Sequence, residues 1–134
     1  MYTFLVLSAV VLAVTNAALV LNEKASSKME KAIFTKVNAA AQRACSDFTA
    51  TKPKVQPLNA LVDAINSNLT PKLNLSNFAF IATVRDDKGK QEIRDNSQRQ
   101  RSFKQIGPAQ VYEADCNGFG KTKITIKVLK IKQE

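Results

Sequence analysis

The sequence predicts an α+β domain in which two N-terminal helices pack on a four- to five-stranded antiparallel meander, with a single disulfide. Three observations indicate this class. Apolar residues have helical spacing over residues 22–69, strand-like alternation begins at Leu73, and Cys45 and Cys116 are the only cysteines. Helices that precede the strands, instead of alternating with them, favour two separate layers over a parallel α/β fold.

Residues 1–17 have the pattern of a secretory signal peptide. An apolar run ends at Val14 and is followed by the small residues Thr15 and Ala17, at positions −3 and −1 of a signal-peptidase site. We therefore predict a cleaved leader and a single secreted, extracellular domain over residues 18–134.

The competing interpretation of the same segment is a membrane anchor. Residues 19–21 extend the apolar region to about eighteen residues, which is the short end for a bilayer span. Thr15 and Asn16 interrupt that run. We favour secretion and do not expect a transmembrane protein.

Two amphipathic helices are predicted, over residues 22–49 and 58–69. In the first, apolar residues recur every three to four positions from Met29 to Phe48 and form one stripe. Pro71 ends the second helix, because a residue that precedes proline is disfavoured in the α region. Both apolar stripes are expected to cover a sheet. Lysines opposite the first stripe leave a membrane-surface helix as the alternative.

The second half of the chain has the alternation of strands. Residues 78–84 are apolar on both faces, which is typical of a central strand. Three further strands are expected over residues 90–94, 99–106 and 111–116. The last strand, residues 121–132, has the clearest alternation of lysine with apolar residues.

Five lysines on the last predicted strand form a candidate anion-binding face. The alternation shifts by one residue at Val128-Leu129, and a β-bulge there would keep all five on one side of the sheet. Arg99, Arg101 and Lys104 would extend this positive face. The alternative is a solvated edge strand on which lysines discourage aggregation. The five residues are Lys121, Lys123, Lys127, Lys130 and Lys132.

The charge of the chain favours an anionic partner. It has 20 Lys and Arg against 11 Asp and Glu, a net charge of +9, and all of them follow residue 17. Anionic glycans, a bacterial envelope or a lipid surface are the expected partners, and no specific nucleic acid is indicated. The alternative is that the charge maintains solubility. The sequence does not indicate an oligomeric state.

Two further features depend on the oxidising compartment that secretion implies. Cys45 and Cys116 are predicted to form a disulfide with each other. Asn68 and Asn74 each begin an Asn-x-Ser/Thr triplet, on either side of Pro71, and both are candidates for N-glycosylation.

The residue inventory contains no catalytic or metal-binding set. The chain has no histidine, which excludes Ser-His and Cys-His nucleophilic sites and the usual His-containing zinc sites. We predict that the protein is not an enzyme and uses no metal or cofactor. A solid core or an apolar ligand pocket between helices and sheet would account for four aromatic residues. They are Phe78, Phe80, Phe103 and Tyr112.

Two known families share parts of this pattern. Helix followed by antiparallel meander resembles the cystatin architecture, which would imply inhibition of cysteine proteases, but the Gln-x-Val-x-Gly loop of that family is absent. The segment from Leu73 to Phe78 is similar to the early part of takeout-like, juvenile-hormone-binding lipid carriers.

Our leading hypothesis is a secreted, basic, non-catalytic binding protein that acts at anionic or amphipathic surfaces, of a host-defence or extracellular-fluid type. A carrier of an apolar or lipid ligand and a cystatin-like protease inhibitor are the alternatives.

Overall fold

Two helices and six antiparallel strands make up the part of the chain described by the structure, a computed structural model that covers residues 19–51, 57–96, 102–117 and 120–133. The predicted α+β class is therefore confirmed. The predicted signal peptide, Arg99 and Arg101 lie outside the described residues. The helices are α1 (Lys31–Thr51) and α2 (Pro57–Leu69). The strands are β1 (Leu19–Leu21), β2 (Phe78–Arg85), β3 (Gln91–Asp95), β4 (Phe103–Gln105), β5 (Gln110–Asn117) and β6 (Lys121–Gln133).

The order of the strands in the sheet is β1-β5-β6-β2-β3, and β4 pairs with β6. β4 and β5 lie along one edge of β6, where Ile106 N–H donates to the Lys130 carbonyl. On the other edge, beside β2, Ile131 N–H donates to the Asn77 carbonyl. A simple meander would leave the last strand at an edge of the sheet. β6 lies in the middle instead, and its apolar residues Ile124, Ile126 and Val128 belong to the buried core.

Both helices lie on one face of the sheet. α1 packs against β1 and β5, α2 packs against β2 and β3, and the helices contact each other. Val37 of α1, Leu61 of α2 and Ile126 of β6 have no exposed surface. Burial of an aliphatic side chain of this size contributes roughly 1.5–3 kcal/mol. The core is therefore the layer between helices and sheet. We call the other side of the sheet, on which neither helix lies, the open face.

The first helix begins at Lys31, nine residues after the predicted start at residue 22, because the preceding segment pairs with the sheet. Leu19–Leu21 forms β1 against β5. Asn22 N–H then donates to the Glu113 carbonyl, and the Ser26 hydroxyl accepts from Glu113 N–H at 3.0 Å. These long-range bonds hold residues 22–26 against the backbone of β5 and satisfy the N–H and carbonyl groups of Glu113.

The predicted disulfide is present. Cys45 in α1 and Cys116 in β5 are both buried, with Cα atoms 5.8 Å apart and a sequence separation of 71. The bond ties the helical layer to the sheet, as the pairing of the two cysteines implied.

Candidate anion-binding surface

The pairing of β6 divides the five predicted lysines between two faces of the sheet. Residues 123–130 pair with β2 without interruption, from Lys123 opposite Arg85 to Lys130 opposite Phe78. The predicted β-bulge in β6 is therefore wrong. The extra residues lie on the other edge of β6, in the connection between β4 and β5. There the four residues 106–109 are opposite the two residues Leu129 and Lys130. Strand alternation then places Lys130 and Lys132 on the helix side, and Lys121, Lys123 and Lys127 on the open face.

Carboxylates on β5 neutralise two of the three open-face lysines. Lys123 Nζ lies 3.1 Å from Glu113 Oε1, and Lys121 Nζ lies 3.7 Å from Asp115 Oδ2. Lys127 is exposed and has the apolar residues Ile81 and Val111 as cross-strand neighbours. The open face therefore holds lysines and carboxylates together and is not the positive face that the sequence predicted.

A denser group of lysines forms at the other end of β6, on the helix side. Lys104 of β4 lies directly opposite Lys132, and Lys130 precedes Lys132 by two positions on the same side of the strand. Lys28, which precedes α1, lines a cleft of about 290 Å³ together with Lys130. We call Lys28, Lys104, Lys130 and Lys132 the lysine cluster.

Glu30 is the carboxylate that Lys130 of the lysine cluster contacts. Lys130 Nζ lies 2.7 Å from Glu30 Oε1, and Gln110 Nε2 donates to Glu30 Oε2 at 3.2 Å. The hydrogen bond from Lys130, followed by that from Gln110, lowers the pKa of Glu30 below its ordinary value. Glu30 therefore stays ionised and offsets one of the four positive charges of the lysine cluster.

The loop between β4 and β5 gives this region an apolar rim. Residues 106–109 lie between the two strands, and Gly107 has a φ of 99°, which a residue with a side chain adopts rarely. Ile106 beside it is 46% exposed and lines the same cleft as Lys28 and Lys130. The surface thus combines flexible cations with an exposed aliphatic side chain.

Lys28 and Glu30 were not among the predicted site residues. Both precede α1, and Glu30 meets Lys130 across 100 positions of sequence. No local pattern marks such a contact, because it depends on where α1 begins and on which edge of β6 pairs with β4.

The four aromatic residues proposed for an apolar pocket have different environments. Phe80 and Tyr112 have no exposed surface and belong to the core cluster, against which the partly buried Phe78 packs. Phe103 is partly buried on β4 and is not a member of that cluster. The Tyr112 hydroxyl donates to Asn38 Oδ1 at 2.7 Å, and burial raises the pKa of Tyr112.

The two candidate glycosylation residues lie on either side of the end of α2. Asn68 is in the last turn of the helix and is partly buried, whereas Asn74 is exposed in the connection to β2. The two positions therefore differ in accessibility, although their sequence triplets are of the same kind.

Two further properties concern only the described residues. Their Asp, Glu and Cys side chains form no group of three or more that could hold a metal ion. Neither α1 nor α2 combines the length and the apolar character that crossing a membrane requires.

No family model, curated protein or solved structure matches this chain.

Proposed function

We propose that this protein is a secreted, non-catalytic binding protein that attaches to anionic surfaces through the lysine cluster. The observation that carries the proposal is the charge around the end of β6, where Lys104 lies opposite Lys132 and Lys28 and Lys130 line one cleft with Glu30. Like charges directly opposite in a sheet are destabilising. The placement of Lys104 opposite Lys132 therefore has a cost in stability, which an anionic partner would offset.

Two features support a secreted location. Residues 1–17 have the apolar run and small-residue cleavage pattern of a leader. The buried disulfide between Cys45 and Cys116 is compatible with folding in an oxidising compartment.

The composition of the cluster favours an extended anionic surface over a single small ligand. Lysine carries a compact charge on a flexible stem, which suits attraction to many phosphates or sulfates better than fixed bidentate recognition. Near an anionic membrane each lysine contributes roughly 1 kcal/mol, and salt screens this attraction. Exposed Ile106 would add apolar contact with a lipid surface.

Binding to heparin and to vesicles of phosphatidylglycerol and phosphatidylcholine tests the proposal. The Lys104→Ser/Lys132→Ser variant should bind anionic vesicles more weakly by about 2 kcal/mol, roughly thirtyfold, since two lysines of the cluster are lost. It should also leave a heparin column at lower salt than the wild-type protein.

Lys121→Ser/Lys123→Ser is the matched control, because it removes the same formal charge from residues that already pair with Asp115 and Glu113. This variant should retain most of the binding. Equal losses in the two variants would mean that net charge alone drives attachment, and no loss in either would overturn the proposal.

A further inference from the structure

We propose that Asn74 carries an N-linked glycan and that Asn68 stays unmodified. The proposal rests on entry of the chain into a eukaryotic secretory pathway, but it does not depend on the lysine cluster or on what that cluster binds. Both residues begin an acceptor triplet, and Pro71 directly follows the triplet of Asn68. The structure distinguishes them through exposure and through the hydrogen bonds of the two side-chain amides.

Asn74 has the geometry of an accessible acceptor. It is exposed, and its Oδ1 accepts a 3.0 Å hydrogen bond from Ser76 N–H. This Asx turn uses the amide oxygen. Within the described residues Nδ2, the atom that would receive the sugar, has no hydrogen-bond partner. Ser76 is exposed as well, while Leu75 between them packs against the core.

The loop around Asn74 is held by short-range contacts. The Asn74 carbonyl accepts hydrogen bonds from Asn77 N–H and Phe78 N–H, both at 2.9 Å. These bonds join residues at most four positions apart, and the carbonyl of Asn77 also accepts from Ile131 N–H. A glycan at Nδ2 would leave all of them intact.

The environment of Asn68 opposes modification. Its Nδ2 donates a 2.7 Å hydrogen bond to the Ala64 carbonyl within α2, and the residue is partly buried. The Thr70 hydroxyl of the same triplet donates to the Asn66 carbonyl at 2.7 Å. A glycan on Asn68 would leave Nδ2 with a single N–H for the bond to Ala64 and would place the sugar against α1.

The space beside Asn68 is a cleft of about 400 Å³ between α1 and the end of α2. Arg43 of α1 and Lys72 line it together with Asn68. A branched oligosaccharide is larger than this cleft. A glycan attached to Asn68 would therefore have to extend out of the cleft along the surface of α1. Asn74 imposes no such constraint, because it lies in an exposed connection beyond the helix.

The sugar donor in the transfer to Asn74 is a lipid-linked oligosaccharide pyrophosphate. A bond forms between Asn74 Nδ2 and C1 of the first sugar, and the bond between that C1 and the pyrophosphate oxygen breaks. The amide loses one proton, and the lipid pyrophosphate is the leaving group. No oxidant or reductant is involved.

Expression of the full-length chain in a eukaryotic secretory cell line tests the proposal. Wild-type protein, Asn68→Gln and Ser76→Thr should each show one mobility shift that an N-glycan amidase removes. Asn74→Gln and Ser76→Ala should lack this shift. Peptide mass spectrometry after amidase treatment should find aspartate at position 74 and asparagine at position 68.

Ser76→Ala tests whether a lost shift results from misfolding. This variant removes the acceptor triplet but keeps the backbone N–H that donates to Asn74 Oδ1. A shift that persists in Asn74→Gln and is lost in Asn68→Gln would overturn the proposal. Wild-type protein without a shift would also overturn it, whether it reaches the medium bare or never enters the pathway.

Discussion

The Tyr112 hydroxyl donates a 2.7 Å hydrogen bond to Asn38 Oδ1 and so joins β5 to α1 across the core. Tyr112 has no exposed surface, and its ring centroid lies 5.9 Å from that of Phe34 on the same helix. This hydrogen bond requires one particular residue of α1 to lie beside one particular residue of β5. Apolar packing, which is not directional, does not impose that requirement.

Replacement of Tyr112 by Phe should lower the free energy of unfolding by about 1 kcal/mol, since the ring still packs but the hydrogen bond is lost. Urea denaturation of the wild-type protein and the variant measures this difference. Asn38→Ala and the double variant complete a mutant cycle, and a coupling energy near zero would contradict a direct contribution from the bond.

The same tyrosine should make stability sensitive to alkaline pH. Burial raises the pKa of Tyr112 above its ordinary value of 10.0, because the charged phenolate is disfavoured in the core. The unfolded chain releases this proton near pH 10, before the folded chain does. The stability that depends on the neutral phenol is therefore complete below about pH 10 and is lost as the pH rises toward the folded-state pKa.

Tyr112→Phe lacks this proton, and urea denaturation between about pH 8 and about pH 11 isolates its effect. The two proteins share every other ionisable group, so the informative quantity is the difference between their free energies of unfolding. The advantage of the wild-type protein should shrink above about pH 10. A constant difference across the range would count against the buried phenol as the cause.

Removal of the disulfide should lower the free energy of unfolding by more than the loss of the Tyr112 hydrogen bond does. The bond closes a loop with a sequence separation of 71, and the chain-entropy account assigns about 4 kcal/mol to a loop of this length. Cys45→Ala/Cys116→Ala should lose stability of this order in guanidinium denaturation. Wild-type protein under reducing conditions serves as the comparison, and a loss below about 1 kcal/mol would contradict the chain-entropy account.

Replacement of Lys104 by Glu should stabilise the fold while it weakens binding. Lys104 lies opposite Lys132, and conversion of a like-charge pair to an opposite-charge pair is worth roughly 0.2–1 kcal/mol. The gain should fall as salt is added. Anionic vesicle binding should weaken at the same time, because the lysine cluster loses a cation and acquires a carboxylate.

Lys127→Glu on the open face is the matched control for this variant. The cross-strand neighbours of Lys127 are Ile81 and Val111, so this substitution removes no repulsion between directly opposite lysines. Equal stabilisation by both substitutions would show that the total charge of the domain, and not the pair of Lys104 with Lys132, sets the effect.

The helical elements were predictable to the extent that they depend on local periodicity. The stripe from Met29 to Phe48 is buried as its spacing indicated, and the second helix ends at Leu69, two residues before Pro71. The start of α1 was not predictable in the same way. Its boundary is determined by hydrogen bonds between the segment before it and β5, such as that from Glu113 N–H to Ser26.

The candidate site was harder to predict from the sequence than the fold was. Alternation along β6 placed Lys121, Lys123 and Lys127 on one face, as the structure has them, but the proposed bulge placed Lys130 and Lys132 on the wrong side. A one-residue change in register reverses the face of every following side chain. The pairing of β6 with β2 is unbroken as far as Lys130, and this continuity assigns the faces.

The sequence by itself determined the class of the fold, the positions of the two apolar stripes, the pairing of Cys45 with Cys116 and the excess of positive charge. Each of these follows from composition or from spacing along the chain. Only the tertiary structure decided that β6 is central and that Lys28 and Lys104 join Lys130 and Lys132 at one end of it. Those relations depend on which strand edges pair, and pairing is set by the free energy of the whole sheet rather than by any local segment.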